Sequence, residues 1–157
     1  MDDTLQAFRG SDKHDQEGQG MKFTLNIEPP TATAQEKQVR IVAGHPQFYE
    51  KPAAKQAKRI LTAALMQHRP PKPFDGPVFL SVKWMFPKRK KDKFHGEIWK
   101  DTKPDTDNLQ KGLKDCMTRC GYWKDDAQVV WEEAVKVWTS GEPGIVISIM
   151  EAEEGET

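Results

Sequence analysis

The order of hydrophobic patterns predicts an α+β domain: a small mixed β-sheet with two main helices packed on one face. Three observations carry this expectation. Apolar residues alternate with polar ones in several short segments, they recur at helical spacing in two longer ones, and the order of segments is strand, helix, strand, loop, helix, strand, strand. At 157 residues the chain has room for one core and not for two ordinary ones.

The elements follow in order. Residues 1–20 are polar and Gly-rich without periodicity, which predicts a flexible acidic tail. Phe23, Leu25 and Ile27 alternate with polar neighbours as in a half-buried strand, and Pro29-Pro30 stops it. A loop or a second short extended piece follows through Val39-Arg-Ile-Val42 and ends near Gly44-His-Pro. Pro52 suits a first helical turn, and Ala53, Ala57, Ile60, Leu61, Ala64 and Leu65 recur behind it at helical spacing until Pro70-Pro71. Val78, Leu80, Val82, Trp84 and Phe86 form the clearest strand. From Asp107 a second helix is expected, with Leu109, Leu113, Cys116, Met117 and Cys120 on one face and Gly121 as its stop. Gln128 to Trp138 reads as a strand. Ser140-Gly-Glu-Pro-Gly144 reads as a turn, and Ile145, Ile147 and Ile149 as a last strand completing a C-terminal hairpin. The domain is expected over 21–150, with an acidic tail over 151–157.

Charge and composition bound the function. Bases and acids balance at 24 each, yet residues 1–20 carry a net −3, residues 151–157 a net −4, and the body a net +7. A basic body between acidic ends suits a polyanionic partner, or an ordinary solvated surface. No apolar run approaches a membrane span, and the first residues lack a secretory pattern, so a cytoplasmic location is expected. Cys116 and Cys120 lie on the apolar helix face as core residues, and His14, His45, His68 and His95 lack ligand spacing for zinc. No Gly-rich phosphate loop is present.

Chemistry concentrates between residues 83 and 128. The window 83–103 has eight bases against three acids, with Phe94 and Trp99 interleaved. Lys88, Arg89, Lys90, Lys91, Lys93, Lys100 and Lys103 are the candidate nucleic-acid contacts, since such cations displace counterions from a phosphate backbone and rings can stack on bases; an ordinary charged hairpin loop has the same composition. Trp99 and Trp123 are the tryptophans expected near DNA. The window leads into Lys103-Pro-Asp-Thr-Asp-Asn-Leu-Gln-Lys111, and Gly121-Tyr-Trp-Lys-Asp-Asp-Ala-Gln128 follows. Asp105 and Asp107 are two apart at a helix start, and Lys111 is one turn on from Asp107. With Asp126 they form the parts of a divalent-metal site for phosphate chemistry: hard oxygens for Mg²⁺ and an ammonium for a crowded phosphate. Structural roles are open for the same residues: Asp107 as helix N-cap, Asp107–Lys111 as an i,i+4 ion pair, and Asp125-Asp126 as turn residues. Asp126 lies beyond the helix's end, so its approach to the other two depends on tertiary folding.

These two motifs, with Asp115 between them and Lys136 beyond, resemble the signature of the RusA family of Holliday-junction resolvases. The resemblance implies a RusA-like fold and a homodimeric endonuclease, dependent on Mg²⁺ or Mn²⁺, that makes paired nicks in four-way DNA junctions. It implies Asp105, Asp107 and Asp126 as metal-site carboxylates and Lys111 as the catalytic lysine, and leaves the role of Asp125 open. The competing expectation is a non-catalytic or differently selective branched-DNA-binding module of the same fold.

Overall fold

A computed structural model describes residues 20–32 and 37–152. The expected tail over 1–20 lies outside the described residues except for Gly20, as does the acidic tail from residue 153 onward. The elements in chain order are β1 (Gly20–Leu25), β2 (Lys37–Val42), β3 (His45–Glu50), α1 (Pro52–Met66), β4 (Val78–Pro87), β5 (Glu97–Trp99), α2 (Thr106–Cys120), a 3-10 turn (Asp126–Gln128), β6 (Val129–Thr139) and β7 (Gly144–Glu151). A mixed five-stranded sheet runs β1-β7-β4-β6-β5, and β2 and β3 form a separate two-stranded ribbon. The α+β architecture is the one the periodicities predict.

β4 takes the centre because its inward face is the most apolar in the chain. Val78, Leu80, Val82, Trp84 and Phe86 are all buried there. Facing them are Leu61 and Leu65 of α1 and Leu109, Leu113, Cys116 and Met117 of α2, with Ile145, Ile147 and Ile149 from the neighbouring strand. Both cysteines are free and buried in this core, and desolvation raises both thiol pKa values. Trp84 hides a polar atom at the centre, and its indole Nε1 donates to Gln110 Oε1 at 2.7 Å. A buried indole needs such a partner.

The expected C-terminal hairpin is not formed. β6 and β7 flank β4 on opposite sides, β6 parallel to it and β7 antiparallel. The connection 140–143 therefore crosses the end of β4, a gap of roughly 10 Å or two strand spacings. Alternating sequence fixes which face a strand buries but not which strand it pairs with, and the most apolar strand took the central place.

Three sets of contacts orient the layers. Gln110 and Lys114 both reach Glu132, at 3.1 and 3.3 Å, while Lys136 reaches the carbonyls before α2, so β6 runs back along α2. Ala54 and Ala57 of α1 border one small cavity with Asn108 and Leu109 of α2. Farther along, Tyr122 Oη donates to Leu65 O at 2.6 Å. The helices thus run side by side in the same direction, and both start at the end of the sheet where β4 and β6 finish.

Candidate functional site

Two acidic clusters stand at opposite ends of α2. The first is at its start. Asp105 is the N-cap residue in extended conformation, with no side-chain capping bond. Asp107 sits at the second helical position, and its Oδ1 accepts from the adjacent Asn108 N–H at 2.9 Å. Both are exposed, as is Lys111 one turn further. The N-cap role expected for Asp107 therefore falls to Asp105. Among the described residues Lys111 makes no ion pair with Asp107. The positive end of the helix, beside these residues, is also a place that favours a phosphate.

The approach to this site is held by two lysines. Lys100 Nζ donates to Thr102 Oγ1 and to Lys103 O, both at 2.6 Å. Lys136 Nζ donates to Thr102 O at 2.6 Å and Pro104 O at 2.7 Å. Successive carbonyls of the lead-in are thereby fixed, and Asp105 follows directly. Lys100 is only 6% exposed, and its ammonium lies 4.2 Å from the Trp138 ring centroid and 5.0 Å from that of Phe86. Burial, reinforced by the charges of Lys136 and Arg89, lowers its pKa below the ordinary lysine value. Lys100 is therefore corrected from a DNA contact to an internal clamp, because its donors face loop carbonyls and aromatic rings. Lys136 pairs with the buried Trp84 of β4 and so shares its helix-facing side of the sheet. A lysine at such a position is a legible sign of an internal polar job.

The basic loop after β4 sits at this same end. Lys88, Lys90, Lys91, Lys93 and Lys103 are exposed. Arg89 is exposed too, but it pairs with Asp92 at 2.9 Å and lies over Trp138 at 4.8 Å. The Asp92 bond raises the Arg89 pKa and lowers that of Asp92. Trp99 is 43% exposed, whereas Trp123 is 1% exposed and donates its Nε1 to Thr118 Oγ1 at 2.7 Å. Trp123 is thus a core residue and is removed from the candidate DNA contacts.

The second cluster is at the other end of α2. Gly121, at φ 86°, terminates the helix in the left-handed region, and Tyr122 N–H returns to Met117 O. The 3-10 turn then begins with a capping box: Asp125 Oδ1 accepts from Ala127 N at 2.8 Å, and Gln128 Oε1 accepts from the amides of residues 124 and 125. Gln128 Nε2 also donates to Phe74 O and Gly76 O. The open question about Asp125 is answered structurally: its side chain caps the turn. The neighbouring Asp126 carboxylate has no bonded partner among the described residues and borders a cleft with Asp115, Thr118, Arg119 and Lys124.

The structure brings Asp105, Asp107 and Lys111 together and leaves Asp126 apart. From Asp107 to Thr118, which lines the cleft with Asp126, α2 advances 11 residues, roughly 16 Å. Among the described residues of one chain, no three His, Cys, Asp or Glu side chains are grouped closely enough to hold a metal ion. The three-carboxylate set Asp105, Asp107 and Asp126 is therefore not assembled within a single chain, because a whole helix separates the two motifs.

Residues 28–150 match the family model for endodeoxyribonuclease RusA. The chain belongs to the RusA family. Over 118 residues, 74% of this chain and 87% of the relative, it is 36% identical to the crossover junction endodeoxyribonuclease of Lactococcus phage r1t. Over 140 residues, 83% of this chain and 96% of the relative, it is 34% identical to the uncharacterized protein YqaN of Bacillus subtilis. A 33-residue stretch is 54% identical to crossover junction endodeoxyribonuclease RusA of Escherichia coli K12, covering 21% of this chain and 28% of that one. This RusA-family chain also has no described helix long and apolar enough to cross a membrane.

Proposed function

We propose that the protein is a crossover junction endodeoxyribonuclease of the cytoplasm. It hydrolyses paired phosphodiester bonds in four-way (Holliday) DNA junctions, in recombination and repair, as a homodimer using Mg²⁺, with Mn²⁺ as a substitute. Family membership and the phage relative support the reaction class. The observation that carries the mechanism is how little structural work Asp105, Asp107 and Asp126 do. Asp105 makes no cap bond, the exposed Asp107 accepts only the adjacent Asn108 amide, and Asp125 takes the capping duty beside Asp126.

The donor set suits a hard cation: carboxylate oxygens, no thiolate or imidazole, and room for water. Because one chain separates the carboxylates, we assign Asp105 and Asp107 of one protomer and Asp126 of its partner to each site. A two-fold axis then makes two equal sites, one for each of two strands in a symmetric junction. When bound, the ion lowers the pKa of a water and offsets charge on the leaving oxygen. The chain's own contribution is positional and electrostatic. Lys111 places an ammonium beside the phosphate at the helix start, where it offsets charge developing on phosphate oxygens. Lys88, Lys90, Lys91, Lys93 and Lys103 bind the backbone on either side, making affinity fall steeply with salt.

Mixing two inactive variants tests this arrangement. Asp107→Asn and Asp126→Asn each remove junction cleavage in Mg²⁺ while keeping salt-sensitive junction binding. Co-expressed with different tags and purified as the mixed dimer, they regain single-strand nicking, because one of the two shared sites is intact. If the mixed dimer stays dead, each site lies within one chain and the assignment is wrong. If the wild-type protein binds labelled junctions and never nicks them, with Mg²⁺ or Mn²⁺, the fold serves as a branched-DNA-binding module instead.

A further inference from the structure

The β2–β3 ribbon is the element the mechanism above leaves unused. Its strands pair from Lys37↔Glu50 to Val42↔His45. They turn at Ala43-Gly44 with φ 52° and 81°, the two positive values of a tight hairpin whose twist matches its strands. One face carries the cross-strand pairs Val39↔Phe48 and Ile41↔Pro46. It is bare: Val39 is 54% exposed, Ile41 76% and Phe48 72%. A two-stranded ribbon is marginal in water by itself, and an exposed apolar patch of this kind marks a contact surface.

Position and charge indicate what covers it. β3 passes through Lys51 directly into α1. The start of α1 borders the same cavity as Asn108 and Leu109 at the start of α2, so the base of the ribbon is at the Asp105–Asp107 end of the molecule. Residues 37–66 contain six Lys and Arg and one acid, Glu50. Within α1 the first turn holds no acid, and Lys55 and Arg59 are exposed. An apolar strip set in basic surroundings complements a ligand that joins flat apolar surfaces to negative charge, which describes the bases and phosphates of DNA. A two-stranded ribbon fits a DNA groove, and Phe, Ile and Pro are side chains that wedge between base steps.

We propose that the β2–β3 ribbon is the branch-reading element of this protein. Phe48 stacks on, and Ile41 wedges against, base faces left unstacked at the branch point, while Lys55 and Arg59 hold the flanking phosphates. Linear duplex offers no such bases, so the ribbon separates branched from unbranched substrates. The proposal rests on the junction-cleaving function proposed above and names how that site selects its substrate.

The test uses full-length protein in EDTA, with a four-way junction carrying 2-aminopurine beside the crossover and a linear duplex of matching sequence. The double variant Ile41→Ser/Phe48→Ser leaves the core intact, since both side chains are exposed, and circular dichroism checks this. Junction affinity is expected to fall about tenfold, the size of a lost stacking contact, with duplex affinity nearly unchanged. The 2-aminopurine fluorescence change produced by wild-type protein is lost. Equal affinities and an equal fluorescence change in wild type and variant overturn the ribbon's role while leaving the nuclease reading standing. A variant that sediments as a smaller species than wild type also overturns it, because the ribbon then joins copies of the chain. Wild-type protein that does not bind the junction overturns both readings.

Discussion

The two ends of α2 free their carboxylates by different means. At the start, cations do the holding: Lys100 and Lys136 take the carbonyls of residues 102–104, so no carboxylate is needed to fasten the loop. At the far end, neutral and aromatic groups do it: Gln128 ties residues 74, 76, 124 and 125, Asp125 caps, and Tyr122 and Trp123 anchor the turn in the core. Acidic residues ordinarily serve as caps and ion-pair partners in such loops. Here other groups supply most of those services: the Asp105 and Asp126 carboxylates have no side-chain hydrogen bond among the described residues, and Asp107 accepts only the adjacent Asn108 amide. A carboxylate left without a structural task in two well-fastened loops indicates a task of another kind.

If the cationic end is as described, breaking the clamp has the larger effect on catalysis. Lys136→Met leaves the carbonyls of Thr102 and Pro104 without their donor. A charge-assisted bond contributes about 1.5–3 kcal/mol, so stability is expected to drop by about 2 kcal/mol. A shift of the lead-in by an ångström costs on the order of a hundredfold in rate, and junction cleavage should fall by that factor. Because Lys136 acts through the loop, the loss should appear in kcat with KM nearly unchanged, and Lys136→Arg should recover part of it. A normal kcat in Lys136→Met would mean that the lead-in holds its shape without the clamp.

At the other end the cap is the weak point. Asp125→Ala removes the acceptor of the Ala127 amide, a loss of about 1 kcal/mol for an N-cap, measurable by urea denaturation. Asp126 begins that turn, so cleavage is expected to fall about tenfold through misplacement, and Asp125→Asn, which still caps, should stay near wild type. If Asp125→Asn is as damaged as Asp125→Ala, the charge of Asp125 matters directly and the division of labour between the two aspartates is wrong.

Much of this was legible in the sequence, and the limits have physical causes. Val78 to Phe86 alternates without a break and is the central strand; Leu109 to Cys120 keeps helical spacing and is the buried helix face. The α+β class follows from such local periods. Pairing does not, and the expected β6–β7 hairpin gave way to a sheet with β4 between those strands. The strand from His45 to Glu50 was not anticipated, since its apolar residues lie exposed and the ribbon buries no face that would impose a clear alternation. In the site, Asp105, Asp107 and Lys111 share one helix start because four to six residues of sequence cannot separate them far. Asp126 comes after a helix of 15 residues, and no local rule carries a carboxylate back along that length. Lys100 and Trp123 read as surface groups from composition, and only tertiary packing shows them inside.

The smallest expected effect concerns the aromatic anchor and separates structure from chemistry at the Asp126 end. Tyr122 is buried, its hydroxyl bonded to Leu65 O, and desolvation raises its pKa far above the ordinary tyrosine value of 10.0, with Cys120 adding to the shift. The sign follows from proton counts. Above pH 10 the unfolded chain releases this proton while the folded chain keeps it, so stability is full below pH 10 and falls as pH rises, by about 1.4 kcal/mol per unit from this group. Tyr122→Phe loses the hydrogen bond and should be about 1 kcal/mol less stable at pH 8, yet it lacks the alkaline penalty. The two denaturation curves should therefore converge between pH 10 and 11 and then cross. Junction cleavage at pH 8 should be unchanged within about twofold, because the Tyr122 hydroxyl bonds the Leu65 carbonyl and none of the acidic side chains. Curves that stay parallel through pH 11 would mean that the hydroxyl is wet, and that the turn carrying Asp126 is looser than the clamped end it is compared with.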